Sequence, residues 1–212
     1  MARRRWSWIL ASLAVTLVAC GDDAGPGETS ATTVTTPAGS GGAGGDGEVA
    51  GGEAPGGDAA PAAEADWVRL SPPGGGFRVE VPAEPQRSEQ SIPSEIGTLE
   101  AVFFSVELGP DAGINIAYTD YPEAVLEVEP ARLLDEVVQG STANVSGTVE
   151  SSEQLTVDGN PAVDYVISVA GGTFQTRSIL VGRRLYGLQR GGSEPDEATF
   201  RRLVESFELV EG

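Results

Sequence analysis

Residues 150–190 read ESSEQLTVDGNPAVDYVISVAGGTFQTRSILVGRRLYGLQR, and the punctuation of this stretch decides the fold. Runs rich in β-branched and aromatic side chains, at 150–157, 161–170, 173–181 and 184–190, predict four strands. Between them stand Asp158-Gly159-Asn160, Gly171-Gly172 and Gly182-Arg183. Each suits a tight turn, because glycine takes positive φ without a steric penalty. Val163, Tyr165, Ile167 and Val169 recur at period two, so the second run has one face to bury. Strands joined by turns this short must run antiparallel.

Upstream, Trp67-Val68-Arg69-Leu70 precedes a Pro72-Pro73-Gly74-Gly75-Gly76 break, and residues 77–81 then alternate strictly up to Pro82. Residues 83–96 carry no usable pattern and are expected to form a loop. Strand-like runs return at 99–108 and 114–121, the second with Ile114, Ile116 and Tyr118 on one face, and the Gly109-Pro110-Asp111-Ala112-Gly113 turn makes them a hairpin. A helix follows. Pro130 suits its first turn, Glu127 and Glu129 complement its dipole, Leu133, Leu134, Val137 and Val138 form one stripe, and Gly140 offers a left-handed stop. Downstream, Ser193 with Asp196 three positions on predicts an N-cap. Phe200, Leu203, Val204 and Phe207 then give a closing helix its apolar face. Two helices and about eight strands in this order imply an α+β domain at 67–212, an antiparallel β-sheet flanked by helices.

Two other regions precede that domain. Arg3, Arg4 and Arg5 form a positive start, and the uncharged run from Trp6 to Ala19 has the length of a signal-peptide core. It is shorter than the roughly 20 apolar residues a membrane span requires. The run closes with Leu17-Val18-Ala19-Cys20, which resembles the bacterial lipobox, so residues 1–19 are expected to be a lipoprotein signal peptide and Cys20 the lipidated N-terminus. A thiolate is the side-chain nucleophile most readily alkylated. Each buried methylene contributes about 0.8 kcal/mol and a single acyl chain holds only marginally, so the two chains of a diacylglycerol anchor firmly. The expected location is the extracytoplasmic face of the cell membrane.

After Cys20, residues 21–66 hold 13 Gly, 11 Ala, 4 Pro, 9 acids and no base. Such a segment has too little apolar surface to offset chain entropy, so 20–66 reads as a disordered acidic linker behind the lipidated cysteine. As a flexible coil it would average about 35–40 Å end to end.

Composition narrows the chemistry. The formal charge is −19, from 13 basic and 32 acidic residues, which argues against nucleic acid as a partner. The chain has no histidine and no lysine, which removes imidazole bases and metal ligands, Ser-His-Asp sets, Schiff bases and the phosphate-loop lysine. A single cysteine forbids an intrachain disulfide and any multi-cysteine metal site. No catalytic residue, metal or cofactor is expected. The remaining catalytic sets are paired carboxylates or a carboxylate-held metal, with Asp120 and Glu123 or Asp158-Gly159-Asn160 as the places to look. The turn chemistry already accounts for Asp158-Gly159-Asn160.

The order of elements is familiar. Gly76-Phe77-Arg78-Val79-Glu80-Val81-Pro82, then Leu155-Thr156-Val157-Asp158-Gly159-Asn160-Pro161-Ala162, Gly182-Arg183-Arg184-Leu185-Tyr186 and Ser206-Phe207-Glu208-Leu209 resemble the PsbP-like superfamily. That superfamily includes extrinsic photosystem proteins, a Ran-binding nuclear-import factor and bacterial lipoproteins of the LpqN type. The resemblance spans nearly all of 67–210 and implies a PsbP-like sandwich, a sheet between helices, that binds rather than catalyses. Histidine-containing metal positions of some members have no counterpart in a chain without histidine.

Charge supplies the last sequence clue. Residues 67–170 carry 4 arginines against 17 acids, whereas 171–204 carry 6 arginines against 3 acids. Arg183 and Arg184 fall at a hairpin tip near Tyr186 and Arg190, with Arg177 on the preceding strand. Guanidinium forks match carboxylates and phosphates, and an aromatic neighbour adds a stacking face. Two readings fit. The arginines pair with acids on adjacent strands, or Arg177, Arg183, Arg184, Tyr186 and Arg190 bind an anionic polymer, a lipid headgroup or a partner protein. The expected function is thus a membrane-anchored envelope lipoprotein that binds an envelope protein or ligand. A carrier of lipid or glycolipid and a carboxylate-based envelope hydrolase are the alternatives.

Overall fold

The computed structural model describes residues 67–94 and 97–210; the expected signal peptide at 1–19, Cys20 and the linker at 20–66 lie outside the described residues. In chain order the elements are β1 (Val68–Leu70), β2 (Phe77–Val81), β3 (Gln86–Ser94), β4 (Gly97–Glu107), β5 (Ala112–Asp120), a 3₁₀ turn (Glu123–Glu127) and α1 (Pro130–Asn144). There follow β6 (Thr148–Val157), β7 (Asn160–Val169), β8 (Gly172–Val181), β9 (Arg184–Gly192), α2 (Glu197–Glu205) and β10 (Glu208–Leu209). The fold is α+β, with antiparallel pairing throughout.

The four strands read from 150–190 are β6 to β9. Asp158 and Gly159, at φ 49° and 79°, make the two-residue turn between β6 and β7. Both central residues of a type I′ turn need positive φ, and its twist matches the strands it joins.

The seven-stranded sheet has the order β3-β4-β5-β9-β8-β7-β6. Two local meanders, β3 to β5 and β6 to β9, therefore meet side by side at β5 and β9. That junction pairs Ala112↔Gly192 through Asp120↔Arg184. A smaller sheet, β1-β2-β10, packs with α2 against one face. There Phe77, Val79, Leu203, Val204 and Phe207 meet Phe104, Ile116, Tyr186 and Leu188. On the opposite face α1 sets Leu133, Leu134, Val137 and Val138 against Val163, Tyr165, Ile167 and Phe174. Every strand of the large sheet's centre is thus buried on both sides.

Several expectations change. Residues 86–94 form an edge strand rather than a loop, paired with β4 from Gln86↔Ser105 to Ser94↔Gly97. Its alternation is real but written in polar residues, Ser88 and Gln90 half-buried with Arg87 and Glu89 exposed. Edge strands are commonly charged and carry proline, here Pro93, which blunts intermolecular pairing. Gly140 does not stop α1. The helix runs one turn further because Ser141 and Val145 are buried against the sheet, and the left-handed residue is Ser146 at φ 51°. The N-cap of α2 is Asp196, whose carboxylate accepts from the Thr199 amide at 3.1 Å, and not Ser193. Phe207 lies beyond the helix, yet stacks on Phe77 at 5.6 Å between centroids.

Phe77 touches four aromatic rings, Phe104, Tyr118, Tyr186 and Phe207, and is fully buried. Phe77→Ala is expected to destabilise the domain by about 3–5 kcal/mol, measured by urea unfolding. A loss under about 1 kcal/mol, ordinary for surface positions, would contradict this packing.

Candidate functional site

Arg177, Arg184, Tyr186 and Arg190 all face the α2 side of the sheet, because register pairs Arg177 with Leu188, Tyr186 with Ile179 and Arg190 with Gln175. Arg183 stands at the β8–β9 turn. The structure does not gather them into one patch. Arg184 and Arg190 lie six residues apart on one strand, about 20 Å at the usual rise, and each has its own partners.

Arg177 makes a two-pronged bond to its cross-strand neighbour, Nε and Nη2 each 2.6 Å from an oxygen of Asp164. Arg184 makes the same fork across β5–β9, with Nε 2.7 Å and Nη2 2.6 Å from the Asp120 oxygens. Its Nη1 donates to the carbonyls of Gly74 (2.8 Å) and Gly75 (3.1 Å), and its plane lies 4.8 Å from the Tyr118 ring centre. Tyr186 Oη donates to Gly75 O at 2.9 Å. A Cβ on Gly76, whose φ is +71°, would come within 2.9 Å of that hydroxyl. The Pro72–Gly76 break is therefore a receptor for Arg184 and Tyr186.

Bonding to Arg184 holds the Asp120 carboxyl below its ordinary range, against partial desolvation, and the same bonds raise the guanidinium above its own. Arg190 is only 7% exposed; it donates to Glu194 O and stands 3.9 Å from Asp196. Burial lowers its pKa, opposed by Asp196. Arg183 is exposed, and its side chain donates from Nη1 to Tyr121 O at 3.5 Å. Of the five, Arg183 is the side chain left facing solvent with its fork open.

The carboxylate candidates are placed as follows. Asp120 is committed to Arg184, and Asp158 and Asn160 build the β6–β7 turn, with Asn160 Nδ2 donating to Val157 O and Asp158 O. Glu123 opens the 3₁₀ turn and is exposed. Among the described residues no group of three or more His, Cys, Asp or Glu is placed to hold a metal, and no helix is long and apolar enough to cross a membrane.

Two features were not legible in the sequence. On the α1 face one rung of the sheet is polar in all seven strands: Ser152, Tyr165, Thr176, Gln189, Asn115, Ser105 and Gln86 are successive cross-strand partners. Gln189 Nε2 donates to Thr176 Oγ1, Tyr165 Oη to Ser141 Oγ on α1, and Ser105 Oγ to Asn115 Oδ1, each at 3.2 Å. Among the described residues the buried Tyr121 hydroxyl has no hydrogen-bond partner. No single strand betrays this row; it exists only once register is known. The second feature is a cleft of about 440 Å³ between the first turn of α1 and the β6–β7 hairpin, lined by Pro130, Ala131, Leu134, Leu155, Pro161 and Ala162 with Glu129 and Gln154.

No family model matches the chain, and no curated protein matches it. Among solved structures it is similar to the solution structure of cyanobacterial PsbP from Synechocystis sp. PCC 6803. The likeness has a TM-score of 0.46 at 15% sequence identity, over 74% of this chain and 99% of that one. A likeness of this degree bears on neither family membership nor activity.

The Asp120 carboxyl is lowered on folding, so its pairing stabilises the domain above the unfolded value of about 3.9 and that contribution is lost as pH falls through the folded value. Asp120→Asn is expected to lower Tm by about 2–4 °C at pH 7, the equivalent of about 1 kcal/mol for a half-exposed pair. The gap to the parent chain should close on acidification toward pH 2, read by thermal scans. An undiminished gap there would contradict the Arg184 fork as its cause.

Proposed function

We propose that this chain is a lipid-anchored protein of the bacterial cell envelope whose folded domain is a PsbP-like, non-catalytic module that binds a protein or another envelope ligand. The observation that carries the anchoring is the position of the chain's single cysteine. Cys20 closes an uncharged run of 14 residues preceded by Arg3, Arg4 and Arg5, the setting in which a thiol is alkylated by diacylglycerol. The succession of the segments at 76–82, 155–162, 182–186 and 206–209 supports the PsbP-like reading of the domain.

Binding rather than catalysis is supported by the state of the Asp120 carboxylate. A general acid working near neutrality needs a raised pKa. Asp120 is pushed the other way by Arg184 and stays ionised. Arg177, Arg183, Arg184, Tyr186 and Arg190 remain the sequence-derived ligand positions; Arg183 is the member free to reach an anionic group without breaking an internal ion pair.

A second reading, carriage of a lipid or glycolipid, draws support from the polar row on the α1 face and from the buried Tyr121 hydroxyl, which has no partner among the described residues. Uncharged donors and acceptors amid apolar neighbours suit a hydroxylated amphiphile.

Cys20→Ser in the full chain, expressed in a bacterial host, is expected to move the protein from the detergent-rich to the aqueous phase on Triton X-114 partitioning and to abolish labelling by an alkyne-bearing palmitate analogue. Unchanged partitioning of the variant would remove the anchor.

A further inference from the structure

β6 is a free edge. It pairs with β7 on one side, while its other side faces no strand among the described residues, and Thr148 through Gln154 are all exposed. Such an edge presents a row of backbone donors and acceptors ready for an added strand. At the C-terminal end of that edge lies the cleft described above, whose apolar floor is Pro130, Leu134 and Pro161. Gln154 ties its two walls together, Nε2 donating to Ala131 O at 3.2 Å and to Asp135 Oδ1 at 2.9 Å.

The rim is anionic. Glu129 lines the cleft, Asp135 is bonded to its wall, and Asp158 sits in the turn beside Gly159; all three are exposed. The nearby cation, Arg132, is held by Glu136 at 3.2 Å. Glu129 occupies the cap position of α1 without capping it through its side chain.

An edge that pairs with backbone, a floor that takes an apolar side chain and a rim that takes cations describe one kind of occupant. We propose that the α1–β6 cleft receives an extended, basic segment of a partner protein, added as a strand along β6. An apolar side chain of that segment rests on Leu134 and Pro161, and its cationic neighbours meet Glu129, Asp135 and Asp158. This rests on the binding-module reading and names the partner's chemistry and its place.

The test uses the full chain in detergent micelles and a fluorescein-labelled, end-blocked octapeptide of alternating arginine and valine, followed by anisotropy at low and high salt. Binding is expected, and should weaken about tenfold in Glu129→Gln/Asp135→Asn/Asp158→Asn, the combined effect of three rim charges. A control that removes three acids elsewhere, Glu84→Gln/Glu107→Gln/Glu205→Gln, should bind within about twofold of the parent. A peptide N-methylated on alternate amides should bind more weakly than the parent peptide, because an added strand needs those donors. Equal loss from both triple variants would reduce the effect to the general negative charge of the chain and overturn the proposal. So would N-methylated peptide binding as well as the parent. Absence of peptide binding, while the full chain still retains an envelope protein on affinity capture, removes the cleft and leaves the binding-module reading standing. Absence of both removes both.

Discussion

The large sheet depends on one non-local pairing. Five of its six strand pairs join neighbours in sequence, and the sixth, β5 with β9, joins two meanders that could otherwise form separately. Closing that pair loses chain entropy before any contact is made. The Arg184–Asp120 fork sits at its end, spanning 64 residues of sequence, and the Tyr121 amide extends the ladder by donating to Arg183 O at 2.8 Å. The same guanidinium holds the Gly74 and Gly75 carbonyls, which lead directly into β2. One side chain thus touches both meanders and the loop that seats the smaller sheet on them.

This node changes how the arginine-rich stretch is understood. Its excess of positive charge is local in sequence but not in space, because the acids it meets, Asp164 and Asp120, belong to the preceding strand and to the other meander. An acidic domain gains internal cohesion from forks placed where strands of different origin meet. What is left over at the surface is mostly negative, and that leftover charge is what a partner would meet around α1 and β6.

The elements legible in the sequence were those whose information is local. Asp158-Gly159 specifies its turn by backbone preference alone, and Val163, Tyr165, Ile167 and Val169 display their buried face by spacing. β3 was hidden because an edge strand needs no apolar stripe, and its Ser88 and Gln90 give no hydrophobic period. Gly140 misled because a glycine signals freedom to turn, while buried Ser141 and Val145 supply the reason not to. The site divides in the same way. Arginine spacing was visible, but ion-pair partners 13 and 64 residues distant were not. The polar row across seven strands has no signature in any one of them.

A folded module of this kind acts wherever it is held, and the anchor proposed at Cys20 would hold it at the outer surface of a membrane. The direct test is mass spectrometry of the N-terminal proteolytic fragment recovered from bacterial membranes. The account predicts a fragment that begins at Cys20 and carries the mass of a diacylglyceryl group on its sulfur. A fragment that begins at Met1, or one in which Cys20 keeps a free thiol, would contradict it.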